Sequence, residues 1–237
     1  MITQDEIRER VEKVRKRISD AAIRAGREPS SVKLVAVTKT HSADVVRLAL
    51  NCGMADFGEN RVQESDGKIS EIGRRSAVWH LIGHLQANKA KRAVALFDVI
   101  HSVDSISLAR RLDRICDETG RKNLEVLIQV DLGGEATKSG IDVTGLPELL
   151  NTIASSRHLD LLGLMTLPPF FDDPEKTRPF FCKLREIRDN HKEAFIKNPA
   201  ELSMGMTNDF EVAIEEGATI VRVGTAIFGE RERYNPA

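Results

Sequence analysis

Lys39 falls in the stretch "VAVTKT", residues 35–40, where small and branched residues read as a buried strand that ends on a cation. Strand alternation puts Lys39 on the same side as Val37 and Val35. A lysine at that depth is partly desolvated, which lowers its pKa and favours the neutral amine. That form attacks a carbonyl to give a Schiff base. The alternatives are a side chain that snorkels to solvent or one that pairs with Glu59. Complementary chemistry sits near the carboxyl end, in "RVGTAIFG". Gly224 leaves backbone N–H groups open at the start of a short helix and Thr225 adds a hydroxyl, a geometry suited to an anion. Ser203, in "LSMGMTND", supplies a second hydroxyl, while Asn208 and Glu211 read as an N-cap pair for the helix that follows.

An amine and a phosphate cradle together describe a ligand with an aldehyde at one end and a phosphate at the other. Pyridoxal 5′-phosphate (PLP) is the common cofactor of that description. Arg222, two residues before Gly224, fits the third feature of PLP, its pyridine nitrogen. A guanidinium donates without giving up its proton, so the ring nitrogen stays unprotonated and carbanion chemistry is suppressed. An ion pair with Asp131 or Glu59 is the other reading of Arg222.

Positioning these groups requires the rest of the chain. An opening segment carries Ile7, Val11, Val14, Ile18 and Ala22 on one helical stripe, with Thr3 and Glu6 placed as a capping box. After it, short apolar strands alternate with helical stretches. The strands are expected at 33–39, 56–60, 79–84, 99–104, 124–132, 161–167, 201–206 and 220–225. Such alternation implies parallel pairing, and eight units can close into a barrel. A doubly wound open sheet is the competitor, but "VTKTHSADV" lacks its Gly-rich fingerprint. The expected fold is α/β, a single-domain (β/α)8 TIM barrel over residues 1–237 with an extra N-terminal helix. In that fold Lys39 and Gly224 lie at the carboxyl ends of strands, the face where such barrels carry their chemistry.

Composition narrows the function classes. The 35 basic and 36 acidic residues nearly cancel, which gives no electrostatic reason to expect nucleic acid or an anionic membrane as partner. Apolar runs such as "LLGLMTL" are too short to span a bilayer, and the first residues lack the apolar stretch of a signal peptide. Cys52, Cys116 and Cys182 form no C-x-x-C pair and read as buried structural thiols in a reducing, cytoplasmic setting.

Several long blocks occur in a fixed order: "VAVTKT", "FGENRVQE", "WHLIGHLQANKAK", "HSVDS", "KSGI", "GLMTL" and "LSMGMTNDFEVAIEEGATIVRVGTAIFGER". Across nearly the whole chain they resemble the pyridoxal phosphate homeostasis protein family, whose barrel is related to the PLP domain of bacterial alanine racemases. The resemblance implies PLP held as a Schiff base on Lys39, with Ser203, Gly224 and Thr225 at the phosphate and Arg222 at the pyridine nitrogen. Asn60 and Met204 would line the ring, and His84 would stand nearby on the rim. It further implies a monomer that buffers PLP, influences amino-acid and keto-acid balance, and has apo PLP-dependent enzymes as possible recipients. The chain departs from the family pattern at His41 and Ser42, at Arg61, and at Thr207 in "GMT".

The residues also bear on catalysis. A PLP racemase needs a second acid/base on the opposite ring face, commonly a tyrosine. The one tyrosine, Tyr234, lies near the end of the sequence, so a carrier with at most weak side reactions is expected rather than an enzyme. His84 and Cys182 are the other candidate bases. A Schiff-base aldolase working through Lys39 is the runner-up. A metal-dependent barrel hydrolase would draw on His80, His84, His101, Glu59 and Asp104, although histidines satisfied by backbone explain the first three without a metal. Lys138 could receive PLP secondarily, and Phe170 and Phe171 either cover the core or lid the site.

Overall fold

The structure, a computed structural model, describes residues 2–134, 139–195 and 200–230. It opens on α1 (Gln4–Arg24), whose start is fixed by the capping box: Thr3 accepts from the Glu6 N–H, and the Glu6 carboxylate accepts from the Thr3 N–H. The apolar stripe of α1 is buried from Ile7 to Ala22. Strand–helix units follow. β1 (Lys33–Val37) leads to α2 (Ala43–Asn51), β2 (Asp56–Glu59) to α3 (Val62–Ile72), β3 (Val78–Leu81) to α4 (Ala90–Leu96) and β4 (Val99–Val103) to α5 (Ile106–Thr119). β5 (Leu124–Gln129) leads to α6 (Leu146–Ala154), β6 (Leu159–Met165) to α7 (Arg178–Asn190), β7 (Glu201–Ser203) to α8 (Phe210–Glu215) and β8 (Ile220–Val223) to α9 (Thr225–Phe228).

Each strand pairs in parallel with the next, and β8 pairs with β1, so the sheet closes into the expected (β/α)8 barrel. Closure leaves no sheet edge open to another chain. Apolar residues fill two zones. A large cluster lies between the strands and the helices and includes Phe57, Trp79, Leu112 and Phe181. A smaller one, formed by Val35, Val99, Leu127, Leu162, Met165 and Ile220, marks the lumen. By alternation the lumen side therefore also carries Asp56, His80, His101, Ser203 and Arg222.

The strands are shorter at their carboxyl ends than the sequence suggests. β1 stops at Val37 rather than at Lys39, and β7 at Ser203 rather than at Met206. Single ladder bonds persist past both ends, from Thr38 to Gly58 and from Met204 to Ile220, before the chain passes into the loops that build a site. Two local expectations also change. The N-cap of α8 is Asp209, while Asn208 donates to the Phe171 carbonyl at 3.1 Å and Glu211 pairs with Arg17 of α1 at 2.7 Å. Only Cys116 of the three free thiols is buried, and Cys52 and Cys182 are half-buried. No helix among the described residues is long and apolar enough to cross a membrane.

Candidate functional site

The loop after β1 is shaped around Lys39. Thr38 extends the ladder, donating its N–H to the Gly58 carbonyl at 3.0 Å, and is fully buried. Lys39 is half-buried. Thr40 then adopts φ 69°, a left-handed conformation that a β-branched residue takes only under constraint. Its N–H donates to the Glu64 carboxylate, the His41 N–H donates to the Thr38 carbonyl, and the His41 ring packs 5.0 Å from that of Phe228 in α9. The turn that carries Lys39 is thus stapled to the end of the last helix.

Gly224 explains how α9 comes so close. A Cβ at this position would lie 3.2 Å from the Val37 carbonyl oxygen and 3.3 Å from the Val37 Cβ. Its absence lets the first turn of α9 rest against the end of β1, beside the strand that leads to Lys39. Thr225 is exposed at that turn, and the Thr207 hydroxyl accepts from the Ala226 N–H at 3.4 Å. Thr207 was read from sequence only as a departure from the family pattern. Its place beside α9 depends on the β7–α8 loop folding across the β8 end, which no local pattern signals.

Below this rim, Arg222 lies in the lumen, 2% exposed. It donates from Nη1 to the Ser203 hydroxyl at 2.6 Å and from Nη2 to the Thr166 carbonyl at 3.0 Å. Burial pushes its pKa down to about 10, opposed by the charge of Asp209, so the guanidinium stays protonated at neutral pH. Its hydrogen-bond acceptors are neutral oxygens, not the carboxylates of Glu59 or Asp131. Asp131 instead accepts from the Gly133 and Gly134 N–H groups, and Glu59 from Lys68 and Thr38.

Ser203 is fully buried, and its hydroxyl also lies 2.9 Å from His101 Nδ1. The hydroxyl expected at the phosphate is therefore engaged deep in the lumen. His101 and His80 are joined through side chains, Nε2 to Nδ1 at 2.9 Å, rather than being satisfied by backbone as the sequence suggests. Residues 21 apart in sequence meet because β3 and β4 are neighbours, with His80 in register with Val99. Among the described residues, no group of three or more His, Cys, Asp or Glu side chains is arranged to hold a metal.

The other expected site residues divide. Asn60 and His84 line one rim cavity after β2 and β3; His84 is exposed and its Nδ1 lies 3.1 Å from Asp104. Met204 is fully buried in the strand–helix cluster, and its N–H donates to the Ile220 carbonyl. Lys138 and Tyr234 lie outside the described residues. Phe170 is 75% exposed, and Phe171 stacks on Phe180 with ring centroids 6.1 Å apart.

Comparison with known proteins places this arrangement in context. Residues 2–232 match the model of the alanine racemase N-terminal domain. The pyridoxal phosphate homeostasis protein of Aquifex aeolicus is 45% identical, over 94% of this chain and 98% of its own length. That of Pseudomonas aeruginosa is 41% identical over 98% of each chain. The solved structure of PipY of Synechococcus elongatus without PLP superposes with a TM-score of 0.83 at 39% identity, over 94% of this chain and all of PipY. PipY with PLP bound gives 0.81 at 38% identity, with the same coverage. Identity of this extent, carried over a whole closed barrel and not over one motif, means that the chain belongs to the pyridoxal phosphate homeostasis protein family.

Proposed function

We propose that this chain binds PLP and serves in PLP homeostasis, with Lys39 as the amine that takes the aldehyde in a Schiff base. The observation that carries the reading is the adjacency of β1 and β8. Their pairing, Val35 with Arg222 and Ala36 with Val223, sets the Lys39 turn beside the Gly224–Thr225 turn and above Arg222. The donor set fits the cofactor. Gly224, Thr225 and Thr207 would hold the phosphate at the open rim, and Arg222 would donate to the pyridine nitrogen. Ser203 steadies Arg222 in this reading, Asn60 and His84 flank the ring from β2 and β3, and Met204 carries no weight. When bound, PLP would supply an electrophilic aldehyde and a ring whose electron demand its nitrogen controls.

The chain's own residues favour storage over turnover. Arg222 is a donor whose proton is retained, so it cannot protonate the ring nitrogen and raise its electron demand. Lys39 is half-buried on a turn pinned by the Glu64 carboxylate and the Thr38 carbonyl, so the backbone that carries its amine is set before an aldehyde arrives. Thr225 and His84 are exposed, so the phosphate end and one flank of the ring would both meet solvent, as loading and release require. We infer a monomeric cytoplasmic carrier that passes PLP to apo-enzymes.

Borohydride reduction of the PLP-loaded protein followed by peptide mass spectrometry should place the phosphopyridoxyl group on Lys39, and Lys39→Ala should lose that adduct. An adduct elsewhere in the wild type sinks the assignment. Excess L- or D-alanine should give negligible racemization, and robust turnover would make the protein an enzyme. A Schiff base trapped only with an added sugar phosphate would favour the aldolase.

A further inference from the structure

The lumen holds a hydrogen-bond chain that runs from Arg222 to the opposite mouth of the barrel. After Ser203 and His101 it continues through His80, whose Nε2 lies 2.9 Å from Asp56 Oδ1. Asp56 stands at the amino end of β2, its side chain 20% exposed, with Lys33 Nζ 3.8 Å away. His80, His101, Ser203 and Arg222 are all buried.

With both imidazoles neutral, chemistry at the two ends fixes the protons between them. Arg222 has only donors, so the Ser203 oxygen accepts from it. An ionised Asp56 has only acceptors, so His80 Nε2 carries hydrogen. Burial raises the Asp56 pKa, but the hydrogen bond from His80 and the charge of Lys33 outweigh it and leave the group below its ordinary value. A neutral His80 then presents a bare Nδ1, so His101 Nε2 must donate to it. A neutral His101 in turn presents a bare Nδ1, which receives the Ser203 hydroxyl hydrogen. His101 is held well below its ordinary pKa by burial first, and then by the charges of Arg222 and Lys33. Every donor along the chain therefore points the same way, from guanidinium to carboxylate.

We propose that Asp56, His80 and His101 are positioning residues: they fix the direction of the Ser203 hydroxyl and thereby hold Arg222 in place for a ligand nitrogen. With its hydrogen committed to His101, the Ser203 oxygen is purely an acceptor for Arg222. Together with the Thr166 carbonyl it clamps the two terminal nitrogens of the guanidinium. One added proton would reverse the polarity. His80 would carry hydrogen on both nitrogens, His101 would carry it on Nδ1, and the Ser203 hydroxyl would be turned out of the chain. This role rests on the PLP reading above, because it assigns the ligand nitrogen to PLP.

Two-bond 1H–15N correlation spectra of the apo protein at neutral pH test the chain without any ligand. Both His80 and His101 should be neutral with hydrogen on Nε2. Hydrogen on His101 Nδ1 would overturn the proposal. Asp56→Leu removes the terminal acceptor and should change the tautomers, move the absorbance band of bound PLP and weaken PLP retention roughly tenfold, the scale of one charge-assisted hydrogen bond. Asp56→Asn, whose amide oxygen still accepts from His80, should rescue all three, and failure to rescue overturns the polarity argument. If Asp56→Leu does not fold, the wild-type tautomers still decide. A wild type that takes no PLP overturns the Lys39 reading and the positioning role together. Altered tautomers with an unchanged PLP band and retention overturn the positioning role alone.

Discussion

Glu59 is fully buried at the end of β2, one residue before Asn60. Its Oε1 accepts from Lys68 Nζ and from the Thr38 hydroxyl, each at 2.6 Å, while Oε2 is buried with no hydrogen-bond partner among the described residues. Burial raises the Glu59 pKa, and the charge and hydrogen bond of Lys68 pull against it. Lys68 Nζ also donates to the Thr38 carbonyl at 2.7 Å, which ties α3 to the residue just before Lys39. Removing one partner of a buried pair leaves the other charge uncompensated. Lys68→Met should therefore destabilise the protein by about 3–5 kcal/mol. Adding Glu59→Leu should recover most of that loss, as read by urea denaturation. Equal instability of the double variant would show that packing, not charge, sets the cost. Lys68 was invisible in the sequence because a lysine on an amphipathic helix reads as solvated. Only the packing of α3 against β2 buries it.

At the scale of elements, the barrel wall closes where backbones touch. A Cβ at Gly163 in β6 would lie 1.9 Å from the Glu201 carbonyl oxygen of β7, with which it is in register. No rotamer change relieves a clash with backbone. Gly163→Ala should cost about 3 kcal/mol or more, or prevent folding, and should lower the melting temperature far more than an alanine at exposed Gly67, where an added Cβ meets nothing within 4 Å. Comparable melting of the two variants would refute the contact. The strand–helix alternation and α1 with its capping box were legible because each depends on residues a few positions apart. Strand ends were not, since how far β1 and β7 run before they turn into loops depends on neighbours distant in sequence, Gly58 for Thr38 and Ile220 for Met204. The N-cap of α8 was misread for a related reason: Arg17 of α1, 194 residues away in sequence, takes Glu211.

For the whole molecule, His101 links stability to pH. Its folded pKa lies well below 6.5, chiefly through burial. Between the two values the unfolded chain binds the extra proton and the folded one does not, so stability rises with pH through that window and falls on acidification below about 6.5. One such group contributes up to about 1.4 kcal/mol per pH unit. Unfolding free energies measured between pH 7 and 5 should decline, and His101→Gln should flatten the decline. An unaltered slope in that variant would clear His101 of the effect.

The sequence by itself determined the eight-unit alternation, the leading helix, and the placing of Lys39, Arg222 and Gly224 at or next to strand ends, because these follow from periodicity and from residue chemistry. It left open what each buried polar group touches. The Ser203 hydroxyl, expected at the phosphate, meets Arg222 and His101, and two histidines assigned to backbone became links in a chain ending at Asp56. Only closure of the barrel decided this. Once β8 meets β1, side chains from strands far apart in sequence share one lumen, and hydrogen-bond partners there are set by register and strand order, which no local stretch of residues encodes.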